Sequence, residues 1–294
     1  MYYYSLNEYL KNTFGEKVYK ISLDGGMTCP NRDGKIDTRG CIFCSRGGSG
    51  EFSASRNLSI TQQIEEAKGR IRKKSDCKKF IAYFQPFTNT YASVDYLRRI
   101  FTEAIENPEI VALSVATRPD CLPDETIGLL SELNKIKPVW VELGLQTIHE
   151  NTAEYIRRGY KLSVYDNAVK RLHNEKISVI THIIIGLPNE TEDMIVESAK
   201  YAGEHSDGIK LQLLHILKDT DLCDEYEKGN VTVLTLEQYA DILIKCLKVI
   251  PKTTVIHRLT GDGDKKILVA PMWSADKKRV LNFINKAIKA TPEE

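Results

Sequence analysis

Three of the seven cysteines fall within 16 residues, as Cys29, Cys41 and Cys44, spaced C-x11-C-x2-C. Thiolates gathered in one short segment are metal ligands in the making, because several soft donors can then meet one centre. A structural zinc asks for four Cys or His ligands, yet no histidine precedes His149 and Cys77 is the only nearby thiol to make a fourth. A [4Fe–4S] cluster needs only three thiolates, and the iron left over is open to a substrate or cofactor. Glycines in the same stretch, Gly25, Gly26, Gly34 and Gly40, let the backbone fold tightly around a bulky group. The residues favour the open cluster. A non-catalytic scaffold that binds zinc or responds to redox state stays as the alternative from another class.

Something must hold that loop in place. Apolar, β-rich runs alternate with segments of helical period: Lys17–Leu23, Phe80–Phe84, Ile110–Ala116, Val139–Leu143, Ser178–Ile185, Ile209–His215 and Thr254–His257. Nearly continuous apolar runs are expected of parallel strands buried on both faces. Between them lie helix starts: Ser59 with Gln62 as a capping box, Ser93, Pro123, Ser163 and Thr235. Strand and helix repeated about six times predict an α/β fold, a partial (β/α)6 TIM-like barrel. One domain is expected over residues 1–294, with a core of about 17–222 and a C-terminal extension of about 223–294. Short helices are expected from Ser5 and from about Asp276. Barrel chemistry sits on loops at the C-terminal ends of the strands, which is where the cysteine loop falls.

The 294 residues carry 41 basic and 40 acidic side chains, a formal charge of +1, with 42% hydrophobic and 28% charged residues. That composition excludes disorder, collagen and coiled coil. The balanced charge weighs against a sequence-blind nucleic-acid binder, which is normally strongly basic. The first ten residues lack the basic start and apolar run of a targeting signal, and the apolar stretch Ile177–Leu187 is too short to span a bilayer. A cytoplasmic protein with no membrane association is therefore expected, its thiols free or metal-bound. Local basic runs offer phosphate contacts: Arg70–Lys74 with Lys78 and Lys79, Arg157–Arg158 with Lys161, and Lys277–Arg279. Solvated helix faces explain each of them as well.

Three cysteines after the first strand of a partial barrel, with Phe43 just before the last, resemble the signature of radical S-adenosylmethionine (SAM) enzymes. The long first gap departs from the usual C-x3-C-x2-C of that family. The chain is similar to the branch that contains the catalytic subunit of Elongator and its bacterial relatives. Ala116-Thr117-Arg118-Pro119-Asp120, Val141–Thr147, Arg158-Gly159-Tyr160 and Gly186-Leu187-Pro188 carry that likeness, which runs from about Lys17 to Leu222. The resemblance implies a radical SAM barrel, a [4Fe–4S] cluster on Cys29, Cys41 and Cys44, SAM as cofactor, and a flavodoxin- or ferredoxin-type electron donor. It implies tRNA as substrate, through conversion of carboxymethylaminomethyl- to aminomethyl-uridine at the wobble position. A radical SAM enzyme acting on a small metabolite or peptide is the second reading.

The same resemblance supplies candidate side chains. The family often has Gly-Gly-Glu after strand two; Gln85-Pro86-Phe87-Thr88 stands here instead, leaving Gln85 or Thr88 to meet the methionine amine. Glu142 lies within an apolar strand, where an unpaired carboxylate is costly, so it faces a ligand or an ion-pair partner. Gln146, Arg171 and His182 complete the expected SAM contacts. Arg118 and Asp120, Lys210 and Gln212, and His257 and Arg258 form the expected substrate shell. Arg118, Lys210 and Cys121 are its expected reactive members, Arg118 or Lys210 pairing with a substrate carboxylate.

Overall fold

The computed structural model describes residues 2–48, 50 and 53–292, so the first residue and the last two of the expected domain lie outside the described residues. A helix α1 (Leu6–Phe14) opens the chain, capped by Ser5 as expected. Alternation then follows: β1 (Val18–Leu23), α2 (Ile60–Arg72), β2 (Lys79–Phe84), α3 (Val94–Glu106), β3 (Ile110–Thr117), α4 (Asp124–Asn134) and β4 (Val139–Gln146). It continues through α5 (Glu150–Tyr155), α6 (Leu162–Asn174), β5 (Ser178–Ile185), α7 (Glu192–His205) and β6 (Gly208–Leu213). The remainder comprises β7 (Ile216–Leu217), α8 (Asp221–Glu227), α9 (Leu236–Val249), β8 (Val255–Arg258), β9 (Leu268–Ala270) and α10 (Lys277–Ala290).

Seven parallel strands form one open sheet in the order β1-β2-β3-β4-β5-β6-β8, and β7 pairs with β9 in a small antiparallel ribbon. The fold is the α/β partial barrel expected, with a seventh strand supplied by the C-terminal segment. Helices start where their caps dictate: Ser59 and Thr235 close full capping boxes with Gln62 and Gln238. Ser163 does not cap; α6 begins at Leu162 behind Lys161, whose side chain makes no capping bond. The helices that flank the sheet bury apolar stripes against it, such as Leu97, Ile100, Phe101 and Ala104 of α3.

Inward-facing strand residues stack in layers. The bottom layer is an apolar plug of Val18, Ile81, Ala112, Trp140 and Ile180, sealed from below by Leu10 and by Leu6, Tyr9 and Phe14 of α1. Tyr4 and Ser5 pair along β8, the edge that β1 leaves open, and so steer α1 under the barrel. Above the plug, where a closed barrel would continue with branched apolar residues, the next inward layer is Lys20, Tyr83, Ser114, Glu142, His182 and Lys210. The third is small or neutral: Ser22, Gln85, Ala116, Gly144, Ile184 and Gln212 line open space. A cavity of about 580 Å³ results, roofed by the loop after β1.

Candidate active site

Cys29, Cys41 and Cys44 line the mouth of that cavity. All three are partly exposed, whereas Cys77, Cys121, Cys223 and Cys246 are buried. The eleven residues between the first two thiols are a closed excursion, pinched at the base where the Gly40 N–H donates to the Asn31 carbonyl at 2.7 Å. Gly40 has φ +78°, and a Cβ there would meet the Arg32 Nε at 2.9 Å. Arg32 in turn donates to the carbonyls of Cys44 and Ser45 at 2.6 and 2.7 Å. Asn31 is buried and gives Nδ2 to the Arg157 carbonyl at 2.6 Å and to the Cys41 Sγ at 3.5 Å. The excursion thus brings Cys29 and Cys41 to one mouth despite the long gap.

Zinc is not supported by this arrangement. Cys77 hydrogen-bonds the carbonyls of Lys17 and Lys79 below β2, at the opposite end of strands about 20 Å long. Among the described residues no three Cys, His, Asp or Glu side chains converge on a single ion. Burial, with Cys44 beside it, pushes the Cys41 thiol up to about 12, so a cationic centre is what would keep it as thiolate. Thr88 Oγ1, Gln146 Oε1 and His215 Nε2 are buried, line the cavity and lack a hydrogen-bond partner in the described structure. Buried polar atoms left open in a cavity ask for a ligand. The residues present fit a cluster at the mouth with SAM beside it.

Beneath the mouth lies a buried ionic network. Glu142, 1% exposed, accepts from Lys20 Nζ at 2.5 Å and Ser114 Oγ at 2.6 Å on Oε1. Its Oε2 takes His182 Nε2 at 2.7 Å and Lys210 Nζ. Both oxygens are filled, so the expected SAM contact of Glu142 gives way to a structural role. Burial acts to raise its carboxyl, but Lys20 and Lys210 hold it well below the usual carboxylate range. Burial, and then Lys210, push His182 down to about 4, leaving it neutral at physiological pH. Burial also lowers Lys210 to about 7, against the pull of Glu142. The Tyr83 ring sits between the two lysines, 4.5 Å from Lys20 Nζ and 4.4 Å from Lys210 Nζ.

Other expected residues fall in two groups. Gln85, Gln146, Gln212, Arg118, His182 and Lys210 line the cavity. Arg118 is committed, with a bidentate pair to Asp120 at 2.9 and 2.8 Å and a bond to the Arg158 carbonyl at 2.9 Å. Arg171 and Cys121 do not reach the cavity. Arg171 projects from α6, outside the sheet, and pairs with Asp124 of α4 at 2.5 Å. Cys121 points with it into a separate hollow between the cysteine loop and α6. Its sulfur lies 3.8 Å from Asp120, and burial pushes the thiol up to about 12. Asn31, Arg32 and Arg158 were not anticipated. Arg158, 2% exposed, holds the carbonyls of Leu145, Thr147 and Tyr160 and so fixes the end of β4. The Arg158-Gly159-Tyr160 triplet was visible, but its job is made by contacts far apart in sequence.

A radical SAM superfamily model matches residues 38–202, and a radical SAM C-terminal domain model matches residues 206–290. YtqA of Bacillus subtilis strain 168 is 44% identical over 288 residues, spanning 98% of this chain and 89% of that protein. A tRNA uridine(34) acetyltransferase of Methanocaldococcus jannaschii is 24% identical over 163 residues, 54% of this chain and 30% of that protein. An Elp3 structure from Methanocaldococcus infernus superposes with a TM-score of 0.66 at 16% identity, covering 92% of this chain and 63% of that one. The likeness of the structure is one of fold, and the Elongator-type relatives are matched over a minor part of their length. Together with three thiols at the mouth of a half-barrel, these matches place the chain in the radical SAM superfamily, with Elongator-type proteins among its more distant relatives, as an enzyme that works with a [4Fe–4S] cluster and SAM.

Proposed function

We propose that Cys29, Cys41 and Cys44 hold the cluster and that the reaction is a modification of the wobble uridine side chain of tRNA, of the carboxymethylaminomethyl to aminomethyl type. The observation that carries this reading is a cavity with thiols at the rim and cations at the floor. A substrate side chain can enter it while the bulk of the substrate stays outside. Two relatives' names support the tRNA part: the uridine(34) acetyltransferase and the Elongator complex protein 3 of Schizosaccharomyces pombe, 25% identical over 166 residues. Bound there, the cluster and SAM would supply the chemistry for taking hydrogen from an unactivated carbon. The chain's own residues do the rest. Thr88 and Gln146 offer open polar atoms to SAM, and Gln85, bonded to Ser22 at 3.0 Å, stands ready beside them. The cysteine loop and the plug under the barrel would keep water from the reacting carbon. A flavodoxin- or ferredoxin-type protein is the electron donor that this reading implies.

The test compares modified nucleosides in tRNA from cells with and without this gene. Without it, carboxymethylaminomethyl uridine should accumulate and aminomethyl-type uridine should vanish. An unchanged wobble nucleoside profile ends the tRNA reading and leaves a small-molecule radical SAM enzyme.

A further inference from the structure

Two cations stand side by side at the cavity floor. Lys210 on β6 and Arg258 on β8 are register partners in adjacent parallel strands, and both line the cavity. Like charges so placed repel, which a fold tolerates where something negative comes between them. No side chain of the layer does so. Three cations, Lys20, Lys210 and Arg258, share a layer with one carboxylate, Glu142, whose oxygens are both filled. Two further acids line the cavity on the loop after β8: Asp262, 3.5 Å from Arg258 but taken by Lys277 at 2.6 Å, and Asp264, whose Oδ1 accepts from the Lys266 N–H at 3.0 Å. Lys210 spends two of its three N–H groups on Glu142 and Tyr83. Arg258 has that one long ion pair among the described residues and five donors to offer. A planar fork beside an ammonium with a spare proton is the donor set a carboxylate matches.

We propose that Lys210 and Arg258 together receive an anionic group of the substrate, a carboxylate, at the cavity floor, with Glu142 as the residue that positions Lys210. The proposal rests on the wobble-uridine reading, in which the carboxymethyl end of the side chain carries that charge. Its descent past neutral Ser22, Gln85 and Gln212 presents the carbon next to the carboxylate to the space below the thiols. The same chemistry exists on SAM, whose own carboxylate is the competing occupant. It also gives Glu142 a reason to be buried: it offsets one of the three cations, and the substrate carboxylate offsets a second.

The experiment measures binding of anticodon stem–loops to the reconstituted, SAM-loaded protein without oxygen. The wobble uridine carries carboxymethylaminomethyl, its isosteric carboxamide, or nothing. The carboxylate loop should bind about tenfold more tightly than the carboxamide. Arg258→Gln and Lys210→Met should each bring that ratio close to one, leaving affinity for the unsubstituted loop and for SAM unchanged. Arg258 is partly exposed, so its replacement spares the core, and a thermal melt checks Lys210→Met. Equal binding of carboxylate and carboxamide loops, both tighter than the unsubstituted one, overturns the proposal while the wobble-uridine reading stands. Loss of SAM affinity in the variants assigns the pair to SAM and overturns it too. Failure of every loop to bind removes the reading and this inference with it.

Discussion

A carboxylate that accepts from two ammonium groups, an imidazole and a hydroxyl has no lone pair left for a ligand, and Glu142 is in that position. Removing one partner of such a set leaves buried charge uncompensated. Glu142→Gln should therefore cost about 3–5 kcal/mol of stability in denaturant titrations. Adding Lys210→Met should restore part of it; a single variant as stable as its parent would mean the network carries no weight. The histidines set the acid limit. Burial lowers His182 and His215 to about 4 and His257 well below its usual value. In the unfolded chain they take protons near pH 6.5, so between pH 6.5 and about 4 the unfolded state binds more protons and stability falls as pH falls. Replacing His215 by Gln should flatten that decline in melting temperature against pH. At the mouth, Cys44→Ala should leave the melt nearly unchanged while abolishing the brown colour, the iron content and reductive SAM cleavage. Retention of 5′-deoxyadenosine formation would refute the thiol assignment.

At the scale of elements, the loop after β1 shows how a long gap meets a compact requirement. Cys29 and Cys41 are twelve positions apart, yet the Asn31–Gly40 bond closes the intervening chain into a side excursion. Gly40 is required twice, for its positive φ and for the Arg32 guanidinium packed against it. Gly40→Ala should lower the iron bound per chain after reconstitution while the far-UV spectrum stays that of the parent. Full iron occupancy would show that the pinch is dispensable. The strands and most helix starts were legible because period and caps are local signals: Ser5, Ser59, Ser93 and Thr235 cap where expected. Ser163 was misleading because a cap candidate two residues late looks the same in sequence, and α6 starts on Leu162 without a side-chain cap. Arg171 was placed at the cofactor by family position, but α6 lies outside the sheet and turns it toward Asp124.

For the whole molecule, the parallel topology sorts the basic runs. Helix C-termini in βα units lie at the bottom of the sheet, so Arg70–Lys74 at the end of α2, together with Lys78 and Lys79 at the start of β2, stand opposite the mouth. Arg157 pairs with Asp221 at 2.5 Å and Arg158 is buried in carbonyl contacts, which takes the second run away from phosphates. Lys277, bound to Asp262 of the cavity wall, keeps Lys277–Arg279 at the rim. If tRNA is the substrate, replacing Lys278 and Arg279 by Ala should weaken binding and lower the salt slope by about one per residue. The same changes at Lys73 and Lys74 should do nothing, and equal effects from both sites would reject the mouth as the RNA face. No helix of the described residues is long and apolar enough to cross a membrane, in keeping with the short apolar stretch noted above.

Local chemistry was enough to determine the barrel and the strands that carry the inward residues, and to single out three cysteines in one loop, because spacing, alternation and caps act between near neighbours. What Glu142, Arg118 and Arg171 do was decided only in three dimensions. Lys20, Lys210 and Asp124, the charged partners of Glu142 and Arg171, lie from 47 to 122 positions away, and Arg118, paired with nearby Asp120, also holds the Arg158 carbonyl 40 positions on. A charge in a sequence is a demand for a counter-charge, and only the folded sheet says which residue meets it.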